Sequence, residues 1–219
     1  ENGVNCFLVD WYWSAGNQSL THWFEAYRKA RYRDQLQVAI MWANHNAPGT
    51  HSREDWRKVT KEWIDRYFSL PAYYRINGKP AIFLWNPEGL RNDLGGSDAV
   101  KAALDESQEM ARAAGYAGIE FVAMSGHHTG ELAATLAGEG YTGATNYHEW
   151  GKAESMASSR TEVKYGDAVK TAPESWQRNT DLCASSLIYY PVVDTGWDNR
   201  PWAGSSAMMI GGRTAPLFE

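Results

Sequence analysis

GVNCFLVDWYW, Gly3 to Trp13, is the stretch whose reading decides the fold. Gly3 to Val9 is an apolar run of strand character. Where small polar turn residues should follow, the chain instead brings an acid and three large rings together, Asp10-Trp11-Tyr12-Trp13. Strand ends that carry chemistry belong to parallel α/β sheets, in which the loops leaving the strands build the site.

Working outward, apolar, β-branched or aromatic runs recur at Val4–Asp10, Val38–Trp42, Ala81–Trp85, Ile119–Met124, Ala144–Tyr147 and Leu187–Val193, and each reads as a buried strand. Helical patterns lie between them. Ser52 with Asp55 makes a start like a capping box, and Trp56, Val59, Trp63, Ile64 and Tyr67 follow on one face. Leu20, Trp23, Phe24 and Tyr27 repeat the pattern, as do Val100, Ala103, Leu104 and Ala111 after a cap at Ser97. Asn77-Gly78 predicts a tight hairpin. Strand and helix alternate six times at intervals of about 25 to 43 residues, which predicts right-handed βαβ units. A full eight-unit barrel needs about 250 residues. Six units therefore predict a (β/α)8 TIM-type barrel, incomplete here: a single domain over residues 1–219, truncated at both ends. An open doubly wound sheet is the competitor.

Composition narrows the partners. The net charge of −5 is spread along the chain without a Lys/Arg run, so there is no footprint for nucleic acid. No apolar stretch is long enough for a membrane span. Cys6 and Cys183 make neither a redox nor a zinc spacing and read as free thiols. The anomaly is aromatic, with 11 Trp and 12 Tyr; surfaces that stack on sugar rings are one reason for such an excess, and a dense core is the other.

The strand ends, taken in turn, read Asp10-Trp11-Tyr12-Trp13, Trp42-Ala43-Asn44-His45-Asn46, Trp85-Asn86-Pro87-Glu88, Ser125-Gly126-His127-His128, Asn146-Tyr147-His148-Glu149-Trp150 and Asp194-Thr195-Gly196-Trp197-Asp198-Asn199. All six offer rings, amides, imidazoles or carboxylates, which suits a sugar: its C–H faces stack on rings while its hydroxyls need fixed donors and acceptors. The candidate catalytic residues are Asp10, Glu149 and Asp198. The candidate substrate-binding residues are Trp11, Tyr12, Trp42, Asn44, His45, Asn46, Trp85, His127, Tyr147, His148 and Trp197. Adjacent His127 and His128 point apart and lack the companions of a metal site, so no metal and no cofactor is expected. Gly138 to Gly143 fits a dinucleotide fingerprint by letters only, because it leaves a helix and enters a strand.

At these strand ends the sequence resembles the glycoside hydrolase family 99-like group, also called the WbsX family, related to the endo-α-mannosidases. The matching stretches are FLVDWYW (Phe7 to Trp13), MWANHN (Met41 to Asn46), YYRINGKPAIFLWNP (Tyr73 to Pro87) and DTGWDNRPW (Asp194 to Trp202). The resemblance implies a (β/α)8 barrel acting on glycosidic bonds of a polysaccharide or glycan, with Trp42, Asn44 and Asn46 on a strand end facing the cleft, Trp197 and Asp198 on the family's Trp-Asp-Asn loop and Tyr147 on the cleft wall. It also implies a two-carboxylate mechanism whose glutamate pair, in a Trp-Asn-Glu-Trp-x-Glu-Gly motif, is absent from this sequence and is expected beyond Glu219. Asn146 to Gly151 (NYHEWG) is the nearest look-alike, with the single acid Glu149. A glycosyltransferase of surface-polysaccharide biosynthesis and a non-catalytic glycan-binding barrel are the alternatives. A hydrolase implies a secreted or periplasmic location and a transferase a cytoplasmic one, and the sequence leaves this open.

Overall fold

The computed structural model describes residues 3–157 and 162–218. In chain order its elements are β1 Cys6–Ser14, β2 Asn17–Ser19, α1 His22–Lys29, β3 Gln37–Trp42, α2 Arg53–Glu62, β4 Arg75–Ile76, β5 Lys79–Leu84, α3 Pro87–Leu94, α4 Ser97–Ala113 and β6 Glu120–Met124. There follow α5 Gly130–Glu139, β7 Gly143–Thr145, α6 Ala153–Met156, β8 Glu162–Lys164, α7 Tyr165–Cys183, β9 Ile188–Tyr190, α8 Arg200–Ala203, β10 Met209–Gly211 and α9 Ala215–Phe218.

The six predicted runs become β1, β3, β5, β6, β7 and β9, and each pairs in parallel with the next. Strand order thus follows chain order with no reversal, whereas a doubly wound sheet must reverse at its switch point. A second feature agrees. Side chains from α1, α2, α3, α4, α5 and α7 all join one core with the same face of the sheet, while the small cluster on the other face, Met41, Ala43 and Met124 with Tyr12, Phe83 and Trp85 beside it, contains no helical residue. A one-sided helix layer over sequentially ordered parallel strands is the wall of a barrel.

Strand alternation sorts the residues. In β1, Trp11 and Trp13 turn to the helix side while Tyr12 turns inward; in β3, Val38, Ile40 and Trp42 go to the helices and Met41 inward. The helices are positioned by local chemistry. Ser52 accepts from the Asp55 amide at 3.1 Å and caps α2. A π-helical stretch, Trp63–Tyr67, then continues α2 and buries both of its end rings.

Three local expectations change. β1 does not end at Asp10: the rings are good strand formers, so it runs to Ser14 and turns back through Ala15 and Gly16 into β2. Leu20 lies before α1 with φ +52°. Ser97 does not cap α4; Gly96 holds that position and the Ser97 hydroxyl donates to Glu139 at 2.7 Å. The hairpin is as predicted: Asn77 (φ +51°) and Gly78 (φ +79°) join β4 to β5, the two positive φ values a type I′ turn demands.

β8 and β10 pair in parallel away from the main sheet, over a small core of Ala153, Val163, Tyr165, Ala168 and Ile210, against which Trp150 and Trp197 pack.

Candidate functional site

The C-terminal ends of β5, β6 and β7 open into a cleft of about 930 Å³. Trp85 to Glu88, Met124 to His127 and Asn146 to Gly151 line it from the strand ends, with Arg178 and Asn179 from α7. A belt of rings passes through it and continues beyond it on both sides. Tyr12 meets His45 with centroids 6.0 Å apart, His45 meets Trp85 at 5.1 Å, Trp85 meets Tyr147 at 6.5 Å, Tyr147 meets His148 at 4.7 Å and His148 meets Trp197 at 4.5 Å. These six rings come from five different strand ends, so it is the parallel order of the strands that assembles the belt.

Behind the rings lies a polar network. His148 Nδ1 and Asp194 Oδ1 are 2.8 Å apart, and Asp194 Oδ2 accepts from the Glu149 amide at 2.6 Å, which ties the loop after β7 to the loop after β9. One Glu149 oxygen accepts from the Gly151 amide and the other from Asn179 Nδ2 at 3.2 Å. Asn146 Oδ1 accepts from the Tyr189 hydroxyl at 2.6 Å and faces His128 Nε2 at 3.2 Å. Burial pushes His128 down and the Tyr189 hydroxyl up. Burial also raises Tyr147, helped by the nearby charge of Asp10 and Asp194.

Asp10 stands at the other end of the belt. Burial pushes its carboxyl up against weaker pulls from the Tyr12 hydroxyl and from His45. A carboxyl raised on folding costs stability where it is ionised and nothing where it is protonated in both states. Asp10→Asn is therefore expected to raise the thermal midpoint slightly near pH 7. The gain should vanish as pH falls towards 4, the ordinary carboxylate range. Melting curves across that range check it; a gain that persists in acid would assign the effect to something other than Asp10 ionisation.

The structure brings Trp85, His127, Tyr147, His148 and Glu149 into the cleft lining, with Tyr12 and His45 on the belt beside it. It takes others out. Trp11 and Trp42 are each 1% exposed; strand alternation turns them to the helices, where Trp11 Nε1 donates to the Tyr67 hydroxyl and Trp42 Nε1 to the Trp13 carbonyl. Neither ring offers a face to a ligand. Asn44 is fully buried, its amide spent on the Asn86 backbone: Oδ1 accepts from the amide at 2.6 Å and Nδ2 donates to the carbonyl at 2.9 Å. It fastens the end of β3 to that of β5. Asn46 donates to the Trp13 carbonyl at 2.9 Å. Asp198 lies outside the large cleft, forked to Arg200, which holds its carboxyl down to about 2; it is an exposed anion and no proton donor at neutral pH.

Sequence reasoning missed Asp194, Asn146, Asn179 and Tyr189 as site residues. For Asn179 a signal existed. Ala168, Ala172, Ser175, Asn179 and Cys183 form the buried face of α7, and an amide on that face among small residues needs partners. Among the described residues no group of three or more His, Cys, Asp or Glu side chains is placed to hold a metal, and no helix is long and apolar enough to cross a membrane.

A one-sided α/β barrel wall whose strand ends carry an aromatic, polar cleft defines a protein of the TIM-barrel class. The chain belongs to the Glycosyltransferase WbsX family, whose model matches residues 1–219. Two solved structures of the GH99 endo-alpha-mannosidase from Bacteroides thetaiotaomicron have a similar fold. One has a TM-score of 0.60 at 19% identity, covering 94% of this chain and 54% of that one. The other, in complex with BIS-TRIS-propane, has a TM-score of 0.58 at 18% identity, covering 94% and 57%. The chain thus spans a little over half the length of these structures. No curated protein matches.

Proposed function

We propose that this protein is a carbohydrate-active enzyme of the glycoside hydrolase type, cleaving glycosidic bonds of a polysaccharide or glycan by a two-carboxylate mechanism. In that scheme one acid protonates the departing oxygen, and the other attacks the anomeric carbon or deprotonates a neighbouring ring hydroxyl that attacks instead. The observation that carries the reading is the belt of rings from Tyr12 to Trp197 along a cleft whose other walls are amides, imidazoles and carboxylates. Such a surface matches the alternating C–H faces and hydroxyls of a sugar chain. The fold shared with an endo-alpha-mannosidase makes α-linked manno-oligosaccharides the first substrates to try. A glycosyltransferase of surface-polysaccharide biosynthesis is the second reading, favoured by the family's description.

The test is incubation of the full-length protein with linear manno-, gluco- and galacto-oligosaccharides, from disaccharide to hexasaccharide, and separately with sugar nucleotides. New reducing ends are expected. Sugar-nucleotide turnover would instead establish the transferase, and binding without turnover a glycan-binding barrel. Tyr147→Ala and Trp85→Ala are each expected to weaken oligosaccharide binding by about 1–3 kcal/mol, as loss of a stacking ring does at other ligands. Calorimetric titration measures this, and unchanged affinity in both variants would remove the belt from the site.

A further inference from the structure

A second cavity, of about 380 Å³, lies between the loop after β9 and β10, lined by Gly196, Trp197, Asp198, Ile210, Gly212 and Arg213 among others. Its volume is at the small end of the range for ligand pockets, about 300–1,000 Å³, which leaves room for roughly one sugar ring. Trp197 stands between the two sites. Its ring lines this cavity and meets the ring of His148, which lines the large cleft, with centroids 4.5 Å apart. On its other contact Trp197 meets Trp202 at 5.7 Å, with the planes at 75°. Trp202 is 69% exposed, far more than an indole that serves packing alone.

Polar partners stand beside these rings. Asp198 supplies an ionised carboxylate held in place by Arg200, and Arg213 is oriented by its bond to the Thr195 carbonyl at 2.7 Å. His148 Nε2 is buried without a partner, while Asp194 fixes the ring through Nδ1. A built-in acceptor or donor left unpaired next to a stacking surface is a place for a ligand hydroxyl.

We propose that the second cavity is an outer sugar subsite, reached from the large cleft across Trp197, in which Asp198 and Arg213 take hydroxyls and at whose edge Trp202, against Trp197, carries a sugar face. The occupant is a further unit of the same uncharged oligosaccharide, so the proposal rests on the carbohydrate reading above. A chain held this way binds more tightly as it lengthens, because the outer unit reaches Trp202 only in longer oligomers.

The experiment is calorimetric titration of the wild-type protein, Trp202→Ala and Trp202→Phe with the same oligosaccharide series, together with thermal melts. In the wild type, affinity should rise with length. Trp202→Ala should lose about 10-fold for the hexasaccharide and less than about 2-fold for the disaccharide, with its melting midpoint unchanged, and Trp202→Phe should retain most of the affinity. Equal losses at all lengths, or none, would overturn the outer subsite while leaving the carbohydrate reading intact. A lowered melting midpoint would overturn it too, showing the ring to be covered by protein. No binding of any oligosaccharide by the wild type would overturn both.

Discussion

Trp42→Ala is expected to lower the unfolding free energy by about 3–5 kcal/mol, the cost of emptying an indole-sized space in a packed core. Trp42 sits at the centre of a cluster of rings: Trp11, Trp56 and Trp63 lie within 6.0 Å of it centroid to centroid, and His51 within 5.3 Å. Their planes are edge-on or tilted, so no neighbour slides into the gap without losing its own contacts. Urea denaturation measures the loss. Affinity for oligosaccharide, read on the folded fraction, should stay within about twofold, because the ring faces the helices and not the cleft. A variant as stable as the wild type but unable to bind would return Trp42 to the sugar site and overturn the assignment of faces in β3.

Arg91→Ala is expected to cost a similar amount, about 3–5 kcal/mol, by a different route. The Glu139 carboxylate is completely buried and is met by Arg91 through Nε and, at 3.0 Å, through Nη2, with the Ser97 hydroxyl adding a third bond. Removing the guanidinium leaves a charge with one hydroxyl for company. The double variant Arg91→Met, Glu139→Leu should recover most of the stability, since neither charge then remains to be satisfied. If the single and double variants are equally destabilised, the loss comes from packing and not from the stranded charge. Although Arg91 lines the cleft, its charge is committed to Glu139, so it is the wrong place to look for an anion-binding group.

Why the barrel wall was legible in the sequence and the site only in part follows from the forces involved. Six strand runs and the helices between them are written in local periodicity, and the parallel pairing follows from the lengths of the connections. The site depends on which way each side chain turns. Trp11, Trp42 and Tyr12 look alike as letters, yet one residue of offset sends the first two to the helices and the third inward. Asn44 had the right composition for binding a hydroxyl, and only its pairing with the Asn86 backbone, 42 residues away, shows it to be a fastener. Asp194 lay in the sequence next to the more conspicuous Trp197 and Asp198, and its partners His148 and Glu149 are more than 40 residues distant. Pairings at that range leave no local trace.

The alternation in β1 has a consequence for how such a chain can drift. Odd positions from Trp11 to Trp13 hold the helices in place and even positions Asp10 and Tyr12 face the cleft side, so the strand carries two interleaved messages. Exchanging one side chain for another edits a single message. Deleting or inserting a single residue within Cys6–Ser14 would swap them, pushing indoles into the cleft and a carboxylate among the helices. Length changes in this strand are therefore tolerable only in twos, or in the turn at Ala15 and Gly16, and the spacing of its residues is inherited as strictly as their identity.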